Sequence, residues 1–328
     1  MPKTSHTNTP ANNARHSLAS DLTTISTGLA QVEIGAPKTY RSLTVFPLIA
    51  KKARSAAYIT LEEALEGQLA TVTEVSEGGV VPELRLENKG DAPVLLVDGE
   101  ELIGARQNRV LNLTILVGAH TELVIPVSCV EAGRWSYNSR HFGSAKRSLY
   151  AAARAAKMGQ VSESLRDSGT RRSNQGAIWN DISAKAARFG TRSATEAMSD
   201  IYADASGDVE AYAAAISGVP GQVGGVFAVN DQIFGIELFD SPSTYQKLAT
   251  KLVSSYAMEA LDQERLDGGV VDAEAVNAFL AHIAAAATET FKAVGQGTDL
   301  RLRGTGIVGA GLVTDDQVVH LSAFMEHA

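Results

Sequence analysis

The chain has 328 residues, 45% of them hydrophobic and 20% charged, a balance that suits a folded globular protein and is too apolar for wholesale disorder. Its 29 Lys and Arg against 37 Asp and Glu give a formal net charge of -8, which argues against a protein that coats nucleic acid with its whole surface. The single cysteine, Cys129, excludes an internal disulfide and a zinc site built from several thiolates, and no apolar run approaches the ~18 residues that span a bilayer, so a cytoplasmic protein with no membrane role is expected.

Residues 1–38 are rich in Thr, Ser, Asn and Ala and lack the continuous apolar core of a secretory signal, so they read as a flexible tail. Residues 39–328 read as one α+β domain, since no long Pro- or Ser-rich linker divides them. Within it, 39–135 form a β-rich part, 136–218 a basic helical part and 219–328 a mixed C-terminal part. Leu43–Leu48, Leu69–Val75, Glu83–Glu87, Pro93–Val97, Val110–Val117 and Glu122–Val127 are short runs rich in Val, Leu, Ile and Thr, separated by turn signals near every tenth residue. That rhythm suggests a sandwich or a barrel-like sheet, and the expectation is a β-sandwich-like N-terminal half with a helical insert. One short helix is signalled by the capping box of Thr60 and Glu63 and by Gly67.

From Ser144 the pattern turns helical: Ser144–Met158, Ala177–Phe189, Ala194–Ala205 and Asp208–Ile216 are rich in Ala and punctuated by Gly, with Gly159–Gly176 as a mobile loop. Val226–Phe239 reads as a hairpin turned at Asn230-Asp231. Ser241-Pro242 opens a helix, Asp272–Ala293 forms another, and Leu300–Val313 and Val318–Phe324 are strands that return to the sheet. Gly304-Thr305-Gly306-Ile307-Val308-Gly309 matches G-x-G-x-x-G but is rejected as a dinucleotide fingerprint, because no helix and second parallel strand fit in the residues that follow.

Residues 134–192 carry 12 basic and 3 acidic groups between two acidic flanks. They are either helices that dock electrostatically against the rest of the chain or a surface for the phosphates of RNA or for a protein partner.

The chemistry concentrates in 98–135. Arg106-Gln107-Asn108-Arg109 interrupts an apolar run, and unpaired buried amides or guanidinium groups cost several kcal/mol, so these side chains need water or partners. Downstream, Cys129 and Glu131 point to one side of a strand, with Arg134 and Trp135 following. In one reading Gln107, Asn108, Arg109, Arg134 and Trp135 bind a ligand, the cations on a phosphate and the indole on a ring, while Glu100, Glu101 or Glu131 serves as a base and Cys129 as a nucleophile. In the other, the charges are an ion-pair network that ties strand ends together and Cys129 is a small buried hydrophobe. His320 reads as a structural histidine. No metal site is assigned, with a hard cation on Asp98, Glu100 and Glu101 as an unspecific alternative, and the residues leave the cofactor open.

Leu43-Thr44-Val45-Phe46-Pro47-Leu48, the Gly99–Arg109 stretch, Ile125–Glu131 with Gly133-Arg134-Trp135, and Val319-His320-Leu321 resemble a bacterial and archaeal family. That family is named for its association with ADP-ribosylglycohydrolases and rhodanese–phosphatase proteins, and the likeness runs from about Thr39 to near the C-terminus. It implies a part in NAD or ADP-ribose metabolism and transfers no residue role. The functional expectation is therefore binding or processing of an ADP-ribose- or NAD-like nucleotide, possible hydrolase or transferase chemistry included. The alternative is a non-catalytic module that uses 134–192 for RNA or a protein partner.

Overall fold

The computed structural model describes residues 24–76, 81–136, 139–263 and 271–326. The N-terminal part holds α1 (residues 24–30), β1 (Val32–Ile34), β2 (Lys38–Tyr40), β3 (Leu43–Ala50), β4 (Ile59–Thr60) and α2 (Leu61–Glu66). It continues through β5 (Ala70–Glu74), β6 (Glu83–Asn88), β7 (Val94–Leu96), β8 (Glu100–Gly104), β9 (Arg109–Leu111), β10 (Ile115–Val117), β11 (Thr121–Cys129) and β12 (Phe142–Ser148). The helices α3 (Ala151–Ser168), α4 (Gln175–Phe189), α5 (Met198–Asp204) and α6 (Ser206–Ala215) follow. The chain closes with β13 (Gln222–Val229), β14 (Gln232–Phe239), α7 (Pro242–Asp262), α8 (Ala273–Ala284), β15 (Ala287–Lys292), β16 (Thr298–Gly304), β17 (Ile307–Thr314) and β18 (Gln317–Met325).

The class is α+β. The N-terminal strands divide among three sheets. β3 joins the C-terminal strands in a sheet ordered β1-β3-β13-β14-β18-β17-β16-β15, so the last third does complete a sheet begun at Leu43. Six others close into a barrel ordered β11-β6-β5-β12-β8-β9, with β9 back on β11, and β10, β7 and β4 form a small sheet of their own. In place of the expected β-sandwich-like half the strands close into a barrel, because β9 pairs back onto β11, and closure leaves no edge exposed to stray pairing. Both faces of the large sheet are covered along its centre, which is why β3, β13, β14, β17 and β18 are buried along most of their length: Phe227 stacks on Tyr256 of α7 at 3.9 Å, while Phe46 and Ile236 pack with Ile25, Phe279 and Ile283 from α1 and α8. The barrel interior is filled by alternate residues of each strand, among them Val72, Leu84, Leu86, Leu102, Leu111, Ile125, Val127 and Phe142.

Several boundaries differ from the sequence reading, each for a tertiary reason. Residues 24–38, assigned to the tail, are ordered: Ile25 is buried and β1 pairs with β3 from Val32 opposite Ala50; the rest of that segment, 1–23, lies outside the described residues. Phe142–Ser148 is a barrel strand, not the start of a helix, because pairing with β8 overrides its weak helical pattern. α3 then runs straight through Gly159 to Gly169, whose φ of 68° supplies the left-handed stop, so the expected mobile loop is largely helix. Thr305-Gly306 turns a hairpin between β16 and β17, which removes any place for a helix in the G-x-G-x-x-G run. α8 ends at Ala284, and Ala287–Lys292 is a strand opposite β16. Ser241 does not cap α7 through its side chain, though Pro242 does open it.

Candidate site at one mouth of the barrel

In an antiparallel barrel, alternate connections gather at the same end. β5 ends at Glu74 and β6 starts at Glu83, β8 ends at Gly104 and β9 starts at Arg109, β11 ends at Cys129 and β12 starts at Phe142. The two motifs that are 20 residues apart in sequence are thus neighbouring loops of one mouth. Gly104 makes the first of them possible: its φ is 128°, and a Cβ there would lie 2.6 Å from Ser139 Oγ and 2.7 Å from the His141 carbonyl.

The loops are tied together by Glu131 and Arg134. Arg134 Nε donates to Glu131 Oε1 at 2.8 Å and its Nη2 to Oε2 at 2.6 Å, while Nη1 donates to the carbonyls of Ala105 at 2.7 Å and Ser136 at 3.0 Å. Glu131 Oε2 also accepts the Asn108 backbone N–H at 3.0 Å, and Asn108 Oδ1 accepts from Arg134 Nη2 at 3.2 Å. Burial pushes the Glu131 carboxyl up, but Arg134 and the Asn108 N–H outweigh it and hold it below the usual carboxylate range. This corrects two expected roles. Glu131 is not placed as a free base and Arg134 is not a free anion clamp, because each is saturated by the other and by backbone.

Arg109 differs. Its side chain is 0% exposed, and Nη1 donates to Gln107 Oε1 at 3.0 Å, whose own Nε2 donates to the Glu131 carbonyl at 2.8 Å. Nε and Nη2 of Arg109 have no hydrogen-bond partner. The guanidinium lies 5.8 Å from the centroid of the Trp135 ring, which Arg106 also approaches to 5.5 Å, and Trp135 is 45% exposed. Burial lowers the Arg109 pKa, opposed by Cys129 and by Glu74.

Cys129 stands directly opposite Arg109 in the ladder and is fully buried. Burial raises its thiol above the usual range; Arg109, the Glu131 backbone and the Trp179 indole of α4 pull the other way without prevailing. Its Sγ donates to the Glu131 carbonyl at 3.2 Å. The nucleophile role finds no activated thiol here.

Glu100 leaves the mouth, whereas Glu101, opposite Val110, stays close to Asn108 and Glu131. Glu100 begins β8 at the far end of the barrel, where Oε1 accepts from Lys251 Nζ at 2.9 Å and Oε2 from the Val97 N–H at 2.8 Å, a structural tie and not a base. Glu101 pairs with Arg147 on the outer face, and its burial raises its pKa against that cation. Asp98 binds Lys157 and joins a buried polar chain: Arg154 Nη1 to Glu237 at 2.6 Å, Glu237 to His320 Nε2 at 3.1 Å, and His320 Nδ1 to Thr114 Oγ1 at 2.7 Å. Here the chain uses Gly99, where a Cβ would meet the Arg154 side chain at 2.8 Å. His320, stacked on Phe239 at 4.4 Å, links barrel and sheet. Asp98, Glu100 and Glu101 share no cation site, and among the described residues no group of His, Cys, Asp and Glu has metal-holding geometry.

Sequence reasoning missed Glu74 and Trp179. Glu74 ends β5 on the same alternate face as Val72, and neither carboxylate oxygen is exposed or has a partner. The signal for it was available in that alternation, since Ala70, Val72 and Glu74 share a face. Surface cavities of about 750, 570, 570 and 260 Å³ lie elsewhere, beside α1 and α8, between α6 and α7, and around the β13–β14 and β17–β18 turns; none is lined by a residue of 98–135.

The basic segment is largely neutralised within the fold. Arg134, Arg147, Arg154, Lys157, Arg166, Arg171, Lys185 and Arg188 each lie within 4.0 Å of a carboxylate, eight of the segment's twelve cations. The intramolecular docking reading describes these pairs. No helix among the described residues is long and apolar enough to cross a membrane.

The family model described as ARG and Rhodanese-Phosphatase-superfamily-associated Protein domain matches residues 31–324, so the chain belongs to that family. No curated protein and no solved structure matches it.

Proposed function

With that membership as the premise, we propose that the barrel mouth binds a nucleotide-like anion of the ADP-ribose or NAD type. The observation that carries this reading is Arg109: a guanidinium with two unpartnered donor nitrogens, wholly withdrawn from water, under a half-exposed indole. Leaving such donors unsatisfied costs on the order of 1–3 kcal/mol, and a phosphate oxygen would satisfy them. Trp135 supplies a face on which a base can stack, and the ligand reaches Arg109 by displacing that ring from the guanidinium. Gln107 fixes the orientation of Arg109, while Asn108, Glu131 and Arg134 hold the two loops at the right separation. Binding, before catalysis, is what the residues support, because Glu100 and Glu131 have both carboxylate oxygens committed to fixed partners.

Titration calorimetry with ADP-ribose, NAD and adenosine tests the reading. The wild type is expected to bind the phosphorylated ligands more tightly than ~1 mM and adenosine more weakly. Trp135→Ala, at a half-exposed position, is expected to weaken them about tenfold through lost stacking. Absence of binding at millimolar ligand overturns it.

A further inference from the structure

We infer that Glu74 is a specificity-determining residue that reads a hydroxyl, so that the ligand of the barrel mouth carries an O–H donor beside its anionic group. The inference rests on the nucleotide reading of the mouth and narrows the ligand class from any anion to a hydroxylated one, such as a sugar phosphate.

Two unsatisfied groups of opposite character face the same end of the barrel interior. Glu74 offers two carboxylate oxygens with neither solvent nor a hydrogen-bond partner, and Arg109 offers two donor nitrogens, Nε and Nη2, in the same condition. They are close enough for Glu74 to raise the Arg109 pKa, yet they make no ion pair within 4.0 Å among the described residues. A buried acid and base that attract each other but do not touch leave unmet a demand for one acceptor set and one donor set. An anion alone meets half of it: its oxygens would accept from Arg109 and then bring negative charge toward Glu74, a repulsion that low local dielectric strengthens. A group with an anionic oxygen on one side and a hydroxyl on the other meets both, accepting from Arg109 Nε and Nη2 and donating to Glu74. Vicinal ribose hydroxyls next to a phosphate have that arrangement. Discrimination of this kind is steep, because a site built to accept from an O–H loses a buried hydrogen bond when the O–H is absent.

The test compares ADP-ribose, 2′,3′-dideoxy-ADP, ADP and inorganic pyrophosphate on the wild type, Glu74→Gln and Glu74→Ala, each checked for wild-type circular dichroism. The wild type is expected to prefer ADP over its dideoxy analogue by about tenfold or more. Glu74→Gln is expected to reduce that preference to a few-fold and, with the negative charge gone, to bind pyrophosphate more tightly than the wild type does. Those two changes run in opposite directions, which loss of packing would not produce. Equal binding of ADP and dideoxy-ADP by the wild type, or an unchanged preference in both variants, overturns the role of Glu74 while leaving the nucleotide reading in place. Failure of all four ligands to bind overturns both.

Discussion

The side chain of Gln175 completes the strand that ends at Cys129: its Oε1 accepts the Cys129 backbone N–H at 2.8 Å, and its Nε2 donates to the Cys129 carbonyl at 2.7 Å. Cys129 therefore turns its backbone groups away from β9, which makes Cys129 and Arg109 a pair without mutual ladder bonds, the type in which side chains approach most closely. On its other side β6 no longer accompanies the strand, whose pairing with β6 stops at Pro126. The first turn of α4 supplies the missing neighbour.

Gln175→Ala leaves two buried backbone groups unpaired, and a loss of about 2–4 kcal/mol in folding stability is expected. Gln175→Glu retains an acceptor but sets a carboxylate against the Cys129 carbonyl, so it is expected to cost no less. Urea denaturation of the three proteins checks this; a Glu variant as stable as the wild type would show that the ladder-like contact is not what holds α4.

Cys129 is expected to resist alkylation. It has no exposed surface and its thiol is raised above the usual range by burial, so at pH 7 little thiolate is present or reachable. Iodoacetamide followed by intact-mass measurement should show labelling at least about a hundredfold slower in native buffer than in urea. Rapid native labelling would return the residue to the list of nucleophiles.

Glu237 gives the fold an acid limit. Burial pushes its carboxyl up, but Arg154 and His320 outweigh burial, so it titrates below its ordinary value of 4.5. Between the two values the unfolded chain binds the proton more readily than the folded one. The stabilisation is therefore complete above about pH 4.5 and is lost as the pH falls through the depressed value. Glu237→Gln is expected to cost about 3–5 kcal/mol at pH 7, by leaving Arg154 and His320 against an uncharged partner. The gap between variant and wild type should narrow below pH 4.5, as thermal melts across pH 3–7 would reveal. A gap that stays constant with pH would remove the ionic explanation.

Polyanion binding by residues 134–192 is expected to be weak and to depend little on salt. With eight of twelve cations paired internally, few remain to release counterions, so the slope of log K against log salt should not exceed about 4 in magnitude. Arg171→Glu should act chiefly on stability, since Arg171 donates to the Lys292 carbonyl and faces Asp299, and Arg172→Glu should have little effect on either. Filter binding of single-stranded RNA at 50–300 mM salt checks this, and a steep slope sensitive to Arg172 would favour the RNA reading.

Local signals settled what depends on local physics. The capping box at Thr60 and Glu63 forms as its spacing implies, the hairpin turns at Asn230, and Pro242 opens α7. The α+β class, the return of the last strands to a sheet and the polar cluster around Gln107, Arg109 and Glu131 were equally legible, since alternation and an interrupted apolar run are properties of the chain itself. Only the closed barrel decided which members of that cluster meet. Closure brings Glu74, Arg109 and Cys129 to one mouth and leaves Glu100 at the opposite end, because an extended β8 sets its two ends about 13 Å apart. It likewise made Ser144–Ser148 a strand and carried a helix through Gly159, where hydrogen bonds to a distant strand and a packed helical face outweighed propensities worth less than about 1 kcal/mol per residue.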